Sequence, residues 1–528
     1  MITVRRRDIF ELNFKSQTKY PNPFIDIVID CEFVSPSNKK YVMPCFYDGN
    51  GTWKVRFSPN EVGEWSYKTI MAPKDLSLDA SGYFMVEEPE KHTKGFLKTC
   101  PGKYWGLMYE SGEPAFIFGD TMYNLFGVAF CGLEYETVLK RRVEQGFNLI
   151  RSRLQVSPYH PPAGYNDWQT RSTWPWQGSP QKPQFDRFNL EYFQTVDKVM
   201  RFAMHLGIGF EMILEAWGFE YPFNQRDIFI PEYEELWIRY IIARYDAFSS
   251  VYIWTLMNEY EYYPDGDWRY NESADMWAIR TGKFVKSIAP HGHPVAVHNG
   301  PTQPPFAQRF KTAPGVIDLI MFQCWGTTGE KDAWLAAGIE DEITSSMKDW
   351  KGSFILAEYG YERNPKLDER FPYHNNISPE HTRRGAWRGT FSATGIIHGW
   401  EHTWGPWWIP NKDQEGMRYL LILKNFFTKI VEFHKFKPDS EVVDQSFNYE
   451  FGKKPLAMST SNKDTVIVYF PAGGVANLVL PKGVAYEAKW FNPRTGKMKP
   501  VLTKNAVYTS KVETPDEKDW VLVLERKE

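Results

Sequence analysis

The sequence is poor in cysteine. Its five cysteines, Cys31, Cys45, Cys100, Cys131 and Cys324, are spread over 528 residues. Wide spacing and an odd number argue against a disulfide framework, and no CxxC pair points to a metal site. A reducing compartment fits this usage. Long hydrophobic runs are missing too: nowhere do 18 apolar residues follow one another, and the opening MITVRRRDIFELNF lacks the apolar stretch of a signal peptide. The expectation is a cytoplasmic protein with no membrane partner. Nor does one sign of charge dominate. The formal net charge is −3, and the basic run Arg5-Arg6-Arg7 stands close to Asp8 and Glu11, so no nucleic-acid partner is expected.

What is present is aromatic. Phe, Trp and Tyr make up 16% of the chain, with 21 Trp, 29 Tyr and 37 Phe, more than core filling requires. Trp and Tyr offer an apolar face and a polar handle, which suits a ligand that is apolar on its ring faces and hydroxylated at its edges, as a sugar is. For any single Trp the core remains the commoner place. The remaining composition, 42% hydrophobic and 24% charged, is that of ordinary globular protein, and the length exceeds the roughly 250–300 residues that a single core serves.

The hydrophobic pattern divides the chain into residues 1–97, 98–439 and 440–528. The first and last parts carry short alternating stretches, as in Phe24–Ile29, Trp53–Phe57, Thr465–Phe470, Ala476–Leu480 and Trp520–Leu524, with turn signals such as Asp48-Gly49-Asn50-Gly51. Both read as β-sandwiches. In the middle part, apolar runs alternate with amphipathic helical stretches, for instance Glu191–Leu206 and Tyr233–Tyr245. The runs are Ala115–Gly119, Phe147–Arg151, Ile208–Leu214, Val251–Met257, Pro294–His298, Leu319–Gln323, Phe354–Ala357 and Ile396–Trp400. Eight such units over this length predict a (β/α)8 TIM barrel with enlarged loops. The longest loop, Pro158–Pro183, is either a wall over a site or an arm packed on the N-terminal part.

A TIM barrel keeps its active site at the C-terminal ends of its strands, so polar residues there are the candidates. In chain order they are Asp120, Arg151, Glu215, Asn258-Glu259, His298, Gln323, Trp325, Glu358, Glu401 and Trp404. Cleaving a glycosidic bond takes one carboxylic acid to protonate the leaving oxygen and one carboxylate to attack or to activate water. Two glutamates ending strands four and seven can face each other across a barrel mouth. His291, His293 and His298 cluster in sequence, but no carboxylate pair stands at ligand spacing and no zinc signature is matched, so neither metal nor cofactor is expected. The run Trp400–Trp408 reads either as an aromatic wall or as a lid over the domain junction.

Three stretches carry a resemblance to a known group: Trp254-Thr255-Leu256-Met257-Asn258-Glu259, Ile355-Leu356-Ala357-Glu358-Tyr359-Gly360 and Gly146-Phe147-Asn148-Leu149-Ile150-Arg151. Together they resemble the barrel glycosidases of clan A, which include glycoside hydrolase family 5. The resemblance implies that Glu259 is the acid/base, Glu358 the nucleophile, Asn258 a partner of the sugar 2-hydroxyl and Arg151 the cation that orients the nucleophile. Gly51–Pro59, Gly63–Tyr67 and Phe118-Gly119-Asp120-Thr121 look like the sandwich and barrel start of bacterial apiosidase-like proteins, where an Asp is expected at the acid/base position that Glu259 fills here. Asp120, Glu215, His298, Gln323, Trp325, Glu401 and Trp404 are expected to bind sugar or to support those that do. The function expected is retaining hydrolysis of short, plant-derived oligosaccharides, with a homo-oligomer left open. The alternative is a carbohydrate-binding protein on the same fold that has lost catalysis.

Overall fold

The computed structural model describes residues 2–89, 93–100, 102, 105–156, 173–218, 220–267, 269–300, 309–326, 336–350, 352–363, 377–404, 411–501 and 509–527. Its centre is a closed barrel of eight parallel strands: β1 (Phe118–Thr121), β2 (Leu149–Arg153), β3 (Gly209–Glu215), β4 (Val251–Met257), β5 (Val295–His298), β6 (Leu319–Gln323), β7 (Ser353–Glu358) and β8 (Gly395–Gly399). Strand β8 closes on β1 with Phe118 opposite Ile396. Each expected apolar run supplies one strand, with ends shifted by a few residues; the first run begins the strand late, at Phe118. All residues of β3 and β4 are buried, as expected for strands covered by helices outside and by barrel filling inside.

Helices return the chain between strands. Leu190–Leu206 begins where the Asn189 side chain accepts from the Tyr192 amide, and it stops at Gly207 in the left-handed region (φ 73°). Pro231–Tyr245 starts on Pro231, whose missing N–H costs nothing in the first turn. Both match the expected helical segments.

β-sheet flanks the barrel at both ends. N-terminally, a five-stranded sheet (Ile2–Arg5, Ser81–Glu87, Gly63–Ala72, Val28–Val34, Lys40–Pro44) faces a three-stranded one (Phe10–Lys15, Thr52–Phe57, Phe46–Tyr47). Between them Phe33 stacks on Phe57 at 4.3 Å in a core shared with Trp53, Trp65 and Phe84. The expected strand Phe24–Ile29 is corrected. It begins only at Val28, because Asn22 accepts from the Ile25 and Asp26 amides and Asp26 accepts from the Asn22 amide, folding residues 22–26 into a turn. C-terminally, a six-stranded sheet runs from the edge strand Phe436–Pro438 to the edge strand Met498–Pro500, with Trp520–Arg526 inside it, and Val475–Val479 pairs separately with Thr509–Glu513.

Buried ion pairs tie these parts to the barrel. Arg56, 2% exposed, donates to both oxygens of Asp197 (3.2 and 2.6 Å) and to the Arg244 carbonyl. At the other end Arg383 donates to both oxygens of Asp519. Asp246 accepts from His291 Nδ1, whose Nε2 accepts from the Ser58 amide, and the Asp246 carbonyl meets His293 Nε2. His291, which also packs on Phe57, thereby holds the N-terminal sheets to the barrel. Among the described residues no group of three or more His, Cys, Asp or Glu stands together as metal ligands, and no helix is long and apolar enough to cross a membrane.

Candidate active site

The C-terminal ends of β2, β4, β5, β6 and β7 converge on one carboxylate, that of Glu358, which closes β7. One of its oxygens accepts from Arg151 Nη1 at 3.0 Å and from the Tyr123 hydroxyl at 3.3 Å, with His298 Nε2 3.8 Å away. The other accepts from Gln323 Nε2. Donors on both oxygens from three elements suit an anion in a fixed orientation. Arg151, fully buried, also donates through Nη2 to Asn258 Oδ1 and lies 5.1 Å from the centre of the Tyr123 ring.

Glu259 follows β4 at φ 52°, in the left-handed region that side chains rarely occupy, and opens the short 3-10 turn Tyr260–Tyr262. Such strain is tolerated where the surroundings fix it. Here the Glu259 amide donates to His298 Nδ1 (3.4 Å), and two residues on, Glu261 accepts from the Gly300 amide and from Arg309, both at 2.8 Å. Burial and the neighbouring Glu358 charge push the Glu259 carboxyl well above the ordinary carboxylate value, against the Gln323 amide and Arg151, which act the other way. The Gln323 side chain thus bonds Glu358 and acts electrostatically on Glu259. It is set in place by Asn299, which accepts from the Gln323 amide N–H at 2.6 Å and donates to its carbonyl at 3.2 Å. His298, accepting at Nδ1, carries its proton on Nε2 facing Glu358, and burial and Arg151 hold it neutral, well below the usual histidine value.

Arg151, Asn258, Glu259, His298, Gln323 and Glu358 are thus brought together. Trp325 stands at the edge of this group, half-buried, 5.9 Å from the Tyr361 ring and in one apolar cluster with Tyr123 and Trp217. Asp120 and Glu215 are not part of it. Asp120 is fully buried and accepts from Arg142 at 2.6 Å, an arginine further tied to Asp413. Glu215 accepts from Arg226 at 2.6 Å and is pushed to about 8, chiefly by burial. Both lie at strand ends with their charge directed at helices and loops behind the barrel wall. Glu401 follows β8 with Arg363 3.6 Å away, its carboxyl pushed to about 7 by burial. Trp404 ends the short helix Glu401–Trp404; its side chain lies outside the described residues, as do 405–408 of the Trp400–Trp408 run and 158–172 of the long loop. Trp400 is fully buried, and Trp174 and Trp176 from the end of that loop are core.

Three contributors escaped sequence reasoning. Tyr123 lies two residues past β1 and Tyr361 three past Glu358; their hydroxyls are 3.1 Å apart. Glu211 is a lone charge inside the apolar run of β3, a signal that was legible as such.

The family model described as apiosidase-like, catalytic domain, matches residues 103–430. A domain of unknown function matches residues 3–72, and a candidate collagen-binding domain of a collagenase matches 438–525. Among solved structures, a candidate glycoside hydrolase from Bacteroides vulgatus is 22% identical with a TM-score of 0.75, and the match covers 100% of each chain. A glycoside hydrolase family 5 protein from the same organism is 18% identical with a TM-score of 0.61, over 82% of this chain and 94% of that one. At these identities the likeness is one of fold. No curated protein matches the chain.

Proposed function

The chain belongs to the apiosidase-like family and is a glycoside hydrolase; from that premise we propose that it works with retention, Glu358 attacking the anomeric carbon and Glu259 serving as acid and then as base. The observation that supports this is the unlike setting of two adjacent glutamates. Glu358 is surrounded by donors and a cation, as a nucleophile that must be ionised requires. Glu259 is buried with no ion-pair partner among the described residues, and burial and the Glu358 charge favour its protonated form, as an acid requires.

In the first step the Glu358 carboxylate forms a bond to the anomeric carbon while the bond to the leaving oxygen breaks, and that oxygen takes the Glu259 proton. In the second, water gives a proton to Glu259 and bonds to the anomeric carbon, and the ester electron pair returns to Glu358. A retaining pair stands about 5–5.5 Å apart, an inverting pair about 6.5–9.5 Å, and the strong influence of the Glu358 charge on the Glu259 carboxyl favours the shorter gap. Asn258, held by Arg151, leaves its Nδ2 without a partner among the described residues, open to a sugar hydroxyl, and Trp325 and Trp217 offer half-buried aromatic area at the mouth. Short oligosaccharides, cleaved from one end, are the substrate class we assign.

The test is turnover of aryl glycosides of several sugars, in both anomers, by the protein and by Glu259→Ala and Glu358→Ala. The proposal expects both substitutions to abolish turnover and azide to rescue Glu358→Ala with a glycosyl azide of opposite anomeric configuration. Turnover indifferent to either substitution overturns the assignment.

A further inference from the structure

Beneath the two glutamates lies a third carboxylate for which the two steps above have no use. Glu211 sits in the middle of β3, fully buried. One of its oxygens accepts from Thr255 Oγ1 at 2.8 Å; the other stands 3.4 Å from Arg151 Nε and, among the described residues, has no hydrogen-bond partner. Among the same residues Arg151 Nε has none either. The guanidinium is thus flanked by two carboxylates, Glu358 on the substrate side and Glu211 on the barrel-core side, and none of the three meets solvent beyond the 6% exposure of Glu358.

This arrangement matters because the proposed reaction removes one of the two negative charges. When Glu358 becomes a glycosyl ester it turns neutral, and without Glu211 a fully buried guanidinium would then face no anion, a state strongly disfavoured in a dry interior. We propose that Glu211 is a positioning residue that shares Arg151 with the nucleophile and supplies its counter-charge while Glu358 is esterified. Thr255 holds that carboxylate in place below the guanidinium. The inference rests on Glu358 being the nucleophile, but the charge sharing itself can be tested without substrate.

Replacing Glu358 with Gln gives it the charge it has as an ester. Thermal unfolding of Glu358→Gln, Glu211→Gln and the double variant forms a double-mutant cycle. Each single variant keeps one anion on Arg151 and is expected to melt close to the parent. The double variant leaves Arg151 with none and is expected to lose far more than the two single losses added, with failure to fold as the extreme of that result. Additive losses overturn the proposal.

A kinetic readout separates positioning from mere support of the fold, using the 2,4-dinitrophenyl glycoside of whichever sugar the protein hydrolyses. Glu211→Gln raises the free energy of the glycosyl-enzyme relative to the free enzyme. It is therefore expected to lower kcat/KM, which reports formation of the ester, by about tenfold or more. The deglycosylation rate, which regenerates the Glu358 charge, should not fall, and Glu211→Asp should restore part of kcat/KM. Proportional loss of both rates overturns the proposal. A coupled stability cycle without azide rescue of Glu358→Ala would instead sink the nucleophile assignment and leave the shared arginine standing.

Discussion

At the scale of residues, function concentrates in groups whose partners are few and charged. Tyr123→Phe removes one donor from Glu358 and leaves the ring in place. A hydrogen bond to a charged group contributes about 1.5–3 kcal/mol, so kcat/KM should fall roughly tenfold or more with little change in melting temperature, which kinetics and a thermal melt together decide. The raised Glu259 carboxyl fixes another expectation. An acid that holds its proton well above the ordinary value of 4.5 places the alkaline limb of kcat/KM well above pH 4.5; a limb near that value contradicts the role. Glu259, Glu358, Asn258 and Arg151 were legible in the sequence because barrel strands end in polar residues. The same rule also selected Asp120 and Glu215, whose arginines Arg142 and Arg226 come from distant helix and loop positions. Tyr123 and Tyr361 stayed hidden because loop geometry beyond a strand end decides which side chains turn back over the mouth.

At the scale of elements, the strands were legible and their ends less so. Continuous apolar runs mark parallel strands, but Phe24–Ile27 alternates like a strand and is held in a turn by Asn22 and Asp26. Close packing below the site explains one glycine. A Cβ on Gly209, the first residue of β3, would meet the Tyr252 ring at 2.3 Å, and that ring is buried against Tyr109. Gly209→Ala should therefore destabilise by about 1–3 kcal/mol, as overpacking does. Because β3 carries Glu211, it should also disturb turnover. Chemical unfolding beside kinetics tests both. The turn after β4 was beyond sequence reasoning altogether: nothing in Asn258-Glu259-Tyr260 announces a left-handed glutamate, whose conformation depends on His298, Gly300 and Arg309 from later strands and loops.

At the scale of the whole molecule, charge sets both assembly and pH response. Arg56 joins the N-terminal sheets to Asp197 and Arg244 of the barrel helices. Removing one partner of a buried pair costs about 3–5 kcal/mol, so Arg56→Met should lower the unfolding midpoint by a corresponding amount. Burial pushes Glu261, Glu362 and Glu401 to about 7 and Glu215 to about 8, whereas the unfolded chain releases those protons near 4.5. Across that interval the folded protein holds more protons, so stability falls as pH rises. Burial lowers His293 and His381 to about 4 and His398 to about 3. The unfolded chain takes up those protons below about 6.5, so stability falls as pH drops through the same window. The carboxyl trend is the stronger above about pH 5 and the histidine trend below it, so the melting temperature should peak at roughly pH 5, with losses by about pH 8 and about pH 3; a melting temperature that rises steadily from about pH 5 to about pH 8 contradicts it. Flanking sheets and barrel were legible from pattern, while the ion pairs that join them were not, because they link residues far apart in the chain. The central claim is tested most directly by following, with proton NMR, the anomeric configuration of the first sugar released from an aryl glycoside. Retention of configuration is the predicted result, and inversion would contradict the double displacement by Glu358 and Glu259.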